Sequence, residues 1–287
     1  EGPGTPERNR FTRRPSFLER KDFTLMLQRQ PSLLQSNHYV PYQLLGKGSF
    51  GEVWSATHYK RRDEWYALKR TTKVFRSSRQ RDRLVNEVEY VAELGSHPNI
   101  VKYHRAWQED GHFFIAMELC TGGTLANLIQ RVDMIPTQQV KNLTGGILSG
   151  LVNLHSNKLM HLDLKPENLF LCNEAHIKIG DFGLCVRATQ QADAEEGDRE
   201  YMAPELLNDP ASQAADIFST GLILYQMLMG RKRLPGYGDE WIQLRQGNVR
   251  MDVTPDKQFM ASQSQWMISP EPAARPSAEQ QVQTFTN

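Results

Sequence analysis

The sequence predicts an α+β protein of two lobes: a small, β-rich first lobe with one main helix and a larger, mainly α-helical second lobe. Short segments of strand character separated by turns fill the first part: residues 42–45, 51–57, 65–70 and 112–118. One amphipathic helix, residues 79–94, lies among them. Its apolar residues recur at spacings of four and three: Leu84, Val88, Val91 and Leu94. After Gly123 the pattern becomes helical, with long helices predicted at 137–155 and 214–229.

Composition limits the class of protein. The 287 residues suit one two-lobed domain with a tail, and 39% of them are hydrophobic, enough for a packed core. The net charge of +1 gives no global field that would attract nucleic acid. Cys120, Cys172 and Cys185 have no metal-ligand spacing, which is typical of a reducing, intracellular setting. The longest apolar run, residues 222–229, is too short to span a bilayer, so no membrane segment is predicted in this chain.

The chain divides into a tail and a domain. Residues 1–40 are basic, contain proline and lack periodicity, so we expect a disordered tail. Residues 41–287 form the folded domain, with a first lobe at 41–117, a hinge at 118–121 and a second lobe at 122–287.

A dense polar motif opens the second lobe. In the segment 161–168, Asp163 can orient and deprotonate a hydroxyl, and Lys165 can steady a moving phosphoryl group. Asn168 and Asp181, the latter in Asp-Phe-Gly, can hold magnesium. This spacing matches the catalytic and metal-binding loops of protein kinases. The alternative, a chance motif in a surface loop, is disfavoured because two such motifs occur at the right separation.

A glycine-rich loop precedes these motifs. Glycine lets the backbone approach phosphate oxygens closely, and the amides can then donate to them. A dinucleotide-binding fold would place a helix directly after such a loop, whereas here a second strand follows, as in kinases. The predicted phosphate-covering residues are Gly46, Lys47, Gly48, Ser49, Gly51 and Val53.

Lys69, in Ala-Leu-Lys, is the predicted ligand of the α- and β-phosphates. It needs an anionic partner on the helix 79–94. Glu89 and Glu93 are alternatives. Glu87 is favoured because it precedes Val88 on the inward edge and because the segment 86–88, Asn-Glu-Val, resembles the kinase pattern. Alone, Lys69 would be read as an exposed strand lysine.

The hinge is the predicted adenine site. Backbone groups of Glu118 and Cys120 would hydrogen-bond the base, and Met117 would guard the deeper pocket. Apolar side chains would enclose the ring from above and below, although ordinary core packing explains them equally well: Val53, Ala67 and Phe170.

The segment from Asp181 to Glu205 ends in Ala-Pro-Glu, another kinase marker. Glu205 is expected to be buried and paired with Arg275, and Asp216 to accept hydrogen bonds from the catalytic-loop backbone. These three residues are predicted to be structural.

Two features depart from the common kinase pattern or qualify it. Position 162 is leucine, where many kinases have an arginine that receives the phosphate of a phosphorylated activation loop. The segment contains no serine, and only Thr189 and Tyr201 carry hydroxyls. We therefore expect an active geometry that does not await loop phosphorylation. Lys165, read alone, predicts a serine or threonine acceptor.

Several motifs together resemble the Wee family of mitotic-inhibitor kinases, which includes the membrane-associated Myt branch. The similar segments are 161–163, 196–205, 215–219, 234–235, 241–245 and 266–272, within residues 42–285. Phe218 stands where other kinases usually have tryptophan. Several segments are most similar to the fungal Wee branch.

The resemblance implies an ATP- and Mg²⁺-dependent kinase that phosphorylates the glycine-rich loop of a cyclin-dependent kinase, mainly on tyrosine and in some members also on threonine. It also implies nuclear residence, with the cytoplasm as the alternative, and we expect a monomer. Two other functions stay open: a serine/threonine kinase outside the Wee group, and a pseudokinase that binds nucleotide without transferring phosphate. The second predicts the loss of a catalytic group, and none is missing.

Overall fold

The computed structural model describes residues 38–48, 51–71, 78–173, 175–188 and 198–286. Within these ranges the strands are β1 Tyr39–Lys47, β2 Gly51–His58, β3 Arg61–Thr71, β4 Tyr103–Glu109, β5 His112–Glu118, β6 Leu159–Met160, β7 Leu169–Asn173, β8 His176–Ile179 and β9 Val186–Arg187. The α-helices are α1 Ser78–Leu94, α2 Leu125–Arg131, α3 Thr137–Ser156, α4 Gln213–Leu228, α5 Asp239–Arg245, α6 Gln258–Met267 and α7 Ala278–Thr286. The predicted two-lobed α+β architecture is confirmed.

The first lobe is one antiparallel sheet in the order β1-β2-β3-β5-β4. Lys69 of β3 stands opposite Val53 of β2, and Ala67 stands opposite Met117 of β5. Side chains two residues apart on a strand share a face, and directly paired residues do too. The register therefore places these four predicted nucleotide-site residues on one face of the sheet.

The strand β4 was missed by the sequence analysis. Of its seven residues only Trp107 is buried, and polar side chains obscure the alternation that identifies a strand. A two-residue turn joins β4 to β5 through Asp110 and Gly111, both at positive φ (48° and 74°). An Asp-Gly pair between strands is a strong hairpin signal and would have located β4.

The second lobe is built around α3 and α4, which begin and end within one residue of the predicted bounds. Every residue of α4 from Ala215 to Leu228 is buried, so this helix is the centre of the lobe. A Cβ atom on Gly221 would lie 2.7 Å from the Cβ of Met267. Glycine at this position therefore allows α4 and α6 to pack closely.

The stretch from Leu234 to Met260 is short and only partly helical. It contains the seven-residue helix α5, the 3₁₀ turn Pro255–Lys257 and the start of α6. Leu244 is fully buried in the main core, so α5 is fixed to the body of the lobe.

Residues 1–37 of the predicted tail lie outside the described residues, and β1 begins at Tyr39, inside the range assigned to the tail. Among the residues that the structure describes, no helix is both long and apolar enough to cross a bilayer.

Candidate active site

The glycine-rich loop connects β1 to β2 above the cleft between the lobes. The backbone amide of Gly48 donates to the carbonyl of Gly51 across 2.9 Å. A Cβ atom on Gly51 would lie 2.3 Å from the carbonyl oxygen of Arg70, so only glycine lets β2 pass β3 there. Lys47 extends into solvent and pairs with Glu52 at 3.0 Å. Ser49 lies outside the described residues.

Lys69 links the two lobes. Its Nζ lies 3.1 Å from Glu87 Oε1 on α1 and 2.7 Å from Asp181 Oδ1 in the second lobe. The alternative partner Glu93 instead binds Arg187 at 2.6 Å. The structure thus brings together the lysine, the helix glutamate and the Asp-Phe-Gly aspartate, which are far apart in sequence.

Tyr103 on β4 supports this cluster and was not identified from the sequence. Its hydroxyl donates to Glu87 Oε1 at 2.8 Å. Burial raises the pKa of Tyr103, and the nearby carboxylate of Glu87 raises it further, so the phenol stays a donor. Tyr103 was not identified because the strand β4, on which it lies, was not predicted.

The electrostatics of the cluster keep it charged. Burial would lower the pKa of Lys69, but the carboxylates of Asp181 and Glu87 outweigh burial and raise it. The charge of Lys69 lowers the pKa of Asp181 against the effect of its own burial. At neutral pH the site therefore holds an ammonium group and an ionised carboxylate side by side.

The catalytic loop forms a second polar cluster. Lys165 Nζ lies 3.0 Å from Asp163 Oδ2. The side-chain nitrogen Nδ2 of Asn168 donates to Asp163 Oδ2 at 2.9 Å and to the backbone carbonyl oxygen of Asp163 at 2.8 Å. Burial would lower the pKa of Lys165, but the carboxylates of Asp163, Asp198 and Glu167 together outweigh burial and raise it. Asp198 of the activation segment also approaches Lys165, at 3.7 Å.

Asp216 on α4 fixes the backbone of this catalytic loop. The backbone amides of His161 and Leu162 each donate to its carboxylate at 2.9 Å, and His155 Nε2 lies 2.9 Å away. Leu162 adopts a φ of +61°, an unfavourable backbone conformation for leucine that these bonds hold in place. Burial would raise the pKa of Asp216, but the hydrogen bond and charge of His155, the charge of His161 and the amide of Leu162 together outweigh burial and lower it.

A cleft of about 570 Å³ lies between the lobes. Predicted residues that line it are Gly46, Val53, Ala67, Lys69, Met117, Glu118, Cys120, Phe170 and Asp181. The predicted residues Lys47, Gly48, Gly51 and Glu87 are not among the residues lining this cavity. The backbone amide of Glu118 already donates to the carbonyl of Lys102 at 2.9 Å. The backbone carbonyl oxygen of Glu118 is therefore the atom that would contact a base.

The end of the activation segment is held by the helical lobe. Arg275 donates two hydrogen bonds to the Glu205 carboxylate, at 2.6 and 2.8 Å. Tyr201 is buried, and its hydroxyl donates to Gln226 Oε1 at 2.7 Å. These contacts join the Ala-Pro-Glu end of the segment to α4 and to the turn before α7.

Two further anchors come from α5 and were not assigned a role from the sequence. The Trp241 indole nitrogen donates to the carbonyl of Arg199 at 3.1 Å. The buried guanidinium of Arg245 donates to the carbonyls of Arg199 and Met202, the latter at 3.0 Å, and stacks over the Trp241 ring at 3.9 Å. Burial lowers the pKa of Arg245 to about 10. The short helix α5 therefore fixes the backbone of the activation segment at residues 199–202.

The comparisons with known proteins agree with this geometry. The model of the protein kinase domain family matches residues 39–285, so the chain belongs to that family. The predictions of a protein kinase fold and of membership in the protein kinase class are confirmed.

The relatives of this chain include kinases of the Wee type. It is 34% identical over 248 residues to the membrane-associated tyrosine- and threonine-specific cdc2-inhibitory kinase wee-1.3 of Caenorhabditis elegans, covering 82% of this chain and 35% of that kinase. It is 31% identical over 290 residues to Wee1-like protein kinase 2-C of Xenopus laevis, covering 92% and 51%. A probable protein kinase of Dictyostelium discoideum is 38% identical over 228 residues, covering 77% and 64%.

The resemblance to the Wee family is therefore confirmed, while the fungal branch stays a prediction. The chain spans between 35% and 64% of the length of these three relatives.

Proposed function

We propose that this chain transfers the γ-phosphoryl group of ATP to a hydroxyl group of a protein. The observation that carries the proposal is the position of Lys69, which contacts Glu87 and Asp181 at the same time. This contact joins the first lobe to the second beside a cleft of nucleotide size. The Asp163 cluster supplies the remaining groups that phosphoryl transfer needs.

The residues of the cleft fit a nucleotide with magnesium. Lys69 would bind the α- and β-phosphates, and Glu87 would hold its ammonium group in position. Asp181 and Asn168 would offer oxygen ligands, which Mg²⁺ prefers. The side-chain nitrogen Nδ2 of Asn168 donates to Asp163, so Asn168 would bind Mg²⁺ through its side-chain oxygen Oδ1. Bound Mg²⁺ would neutralise charge on the phosphates.

Asp163 would act on the acceptor. The substrate hydroxyl oxygen attacks the γ-phosphorus, the bond to the β-phosphate oxygen breaks, and ADP leaves. Asp163 takes the hydroxyl proton onto a carboxylate oxygen. Lys165, 3.0 Å from that carboxylate, would offset the charge on the moving phosphoryl group.

For the substrate, we propose the inhibitory tyrosine in the glycine-rich loop of a cyclin-dependent kinase. The support is the similarity to kinases whose names describe tyrosine- and threonine-specific inhibition of cdc2. Nuclear residence, a monomeric state and the assignment to the fungal branch are proposals on family grounds alone.

Phosphoamino-acid analysis of a cyclin-dependent kinase treated with this chain and Mg²⁺–ATP tests the substrate. We expect phosphotyrosine, and no labelling when that tyrosine is replaced by phenylalanine in the substrate. A threonine-only signal at the neighbouring position would reject the tyrosine preference but keep the substrate.

A serine/threonine kinase outside the Wee group is the second candidate, because Lys165 follows the catalytic aspartate by two residues. Labelling of a general serine-containing substrate, with the cyclin-dependent kinase left unmodified, would favour this candidate. Nucleotide binding without transfer to any protein would indicate a pseudokinase.

A further inference from the structure

Two cysteines meet beside the hinge. Cys120 lies on the hinge and Cys172 on β7, and the Sγ atoms are 3.5 Å apart with the Cys172 thiol donating to Cys120. Backbone hydrogen bonds fix this approach: Gly122 donates to the carbonyl of Leu171, and Leu171 donates to the carbonyl of Gly123, each at 2.8 Å. The proximity of the thiols therefore follows from backbone pairing.

A carboxylate completes the cluster. Glu118 precedes Cys120 by two residues, and in extended backbone such residues point to the same side. One carboxylate oxygen of Glu118 and the two sulfur atoms all lie within 4.8 Å of one another. All three residues are partly buried, so the cluster is reachable from solvent.

We propose that Cys120, Cys172 and Glu118 form a binding site for a thiophilic divalent cation, with Zn²⁺ as the natural ion. Two sulfur ligands and one carboxylate suit Zn²⁺, and a water molecule would take the fourth position. Nothing in the proposed phosphotransfer uses these three side chains, since only the backbone of the hinge would contact adenine.

The distances favour an ion over a disulfide. In a tetrahedral site with Zn–S bonds of about 2.3 Å, two sulfur ligands lie about 3.8 Å apart. The observed 3.5 Å separation needs to widen by only a few tenths of an ångström. A disulfide of about 2.05 Å would instead require the sulfur atoms to move together by about 1.5 Å.

The charges also balance. Binding converts two thiols to thiolates and releases two protons to solvent. Two thiolates, one carboxylate and a divalent cation leave one net negative charge. Lys178 lies 2.9 Å from Glu118 Oε1 and 3.0 Å from Oε2, so it can offset that charge. The backbone amide of Lys102 also donates to Oε2, at 3.2 Å, and the ion would share the carboxylate with these two donors. The bound ion would join the hinge to β7.

Cadmium is a suitable probe, because cadmium–thiolate bonds absorb in the ultraviolet. The full, reduced chain would be titrated with Cd²⁺ without nucleotide, so the result does not depend on kinase activity. We expect one equivalent to produce the thiolate-to-cadmium band and Zn²⁺ to displace it.

The variants locate the site. Cys120→Ser and Cys172→Ser should each abolish the stoichiometric band, and Glu118→Gln should weaken Cd²⁺ binding about tenfold or more. Cys185→Ser is the matched control: this third cysteine should be dispensable for the band, with folding checked by circular dichroism. A reduced wild-type chain without the band, or a band unchanged in Cys172→Ser, would overturn the proposal.

Discussion

Two buried ion pairs of this chain have the same chemistry and different surroundings. Arg275 and Glu205 are 0% and 6% exposed, and their bidentate bond is surrounded by further hydrogen bonds from Arg275 to backbone carbonyls. Lys69 and Glu87 are 13% and 1% exposed, but Lys69 also contacts Asp181, which is 39% exposed in the cleft.

The difference separates a structural pair from a functional one. The donors of Arg275 are committed to protein acceptors in the second lobe. Lys69 instead sits at the border of an open cavity, where its ammonium group can exchange a carboxylate contact for a phosphate contact. We infer that the Arg275 pair contributes chiefly to stability and the Lys69 pair chiefly to ligand binding.

Loss of Arg275 should have the largest effect on stability. Arg275→Met leaves the Glu205 carboxylate buried without its cation, and we expect a loss of about 3–5 kcal/mol in the free energy of unfolding. Urea denaturation measures it. In the double variant Glu205→Leu/Arg275→Met no unpaired charge remains, so it should recover part of the loss. A single variant as stable as the wild type would contradict the structural role.

Loss of Lys69 should reduce nucleotide binding more clearly than it reduces stability. In Lys69→Met, Tyr103 still donates to the buried carboxylate of Glu87, and Asp181 is open to water in the cleft. We therefore expect a smaller destabilisation than in Arg275→Met, about 1–3 kcal/mol. Nucleotide affinity should fall at least tenfold, about 1.4 kcal/mol, because the phosphates lose their cation. Calorimetric titration with an ATP analogue and Mg²⁺ tests this. Unchanged affinity and turnover would show that Lys69 is not a phosphate ligand.

The activation segment offers an intermediate case. Arg245→Ala leaves the carbonyl of the buried Met202 without this donor and removes one of two donors to the carbonyl of Arg199. We expect a cost of about 1–3 kcal/mol and slower phosphotransfer as the segment loosens. Arg245→Lys keeps one donor and is the matched control. Limited proteolysis would detect the loosening. If Arg245→Ala matched the wild type in protease resistance and turnover, the anchoring role would be wrong.

The smallest effect is expected at the hydroxyls of the segment. Tyr201→Phe loses one hydrogen bond to Gln226, about 1 kcal/mol, and should keep its turnover. Thr189 lies outside the described residues. The double variant Thr189→Ala/Tyr201→Phe should stay active because Leu162 cannot receive a loop phosphate. Loss of its activity would show that loop phosphorylation is required.

Local patterns predicted the helices α1, α3 and α4, because burial of one helix face imposes a period that the sequence displays. The helices α2, α5, α6 and α7 were not located from the sequence. The 3.6-residue periodicity located α1 within one residue of its start. Periodicity and the kinase pattern Asn-Glu-Val together favoured Glu87 over Glu89 and Glu93. The pairing of Glu205 with Arg275 was predicted from the kinase motif Ala-Pro-Glu, because its buried glutamate needs a cation.

Features that depend on strand pairing or tertiary contact were missed. The polar surface of β4 concealed Tyr103, and Arg245 binds backbone carbonyls that no sequence pattern marks. Cys120 and Cys172 are 52 positions apart. Their contact depends on the pairing of the hinge with β7, which spacing along the chain does not reveal.

The most direct test of the account measures phosphotransfer and nucleotide binding together in Asp163→Asn. Asparagine keeps the size of the side chain but cannot accept the hydroxyl proton as a carboxylate does. We predict that turnover with Mg²⁺–ATP falls about 10²–10⁴-fold while affinity for the nucleotide stays near that of the wild type. Turnover equal to the wild type would contradict the assignment of Asp163 and of the cleft as a phosphotransfer site.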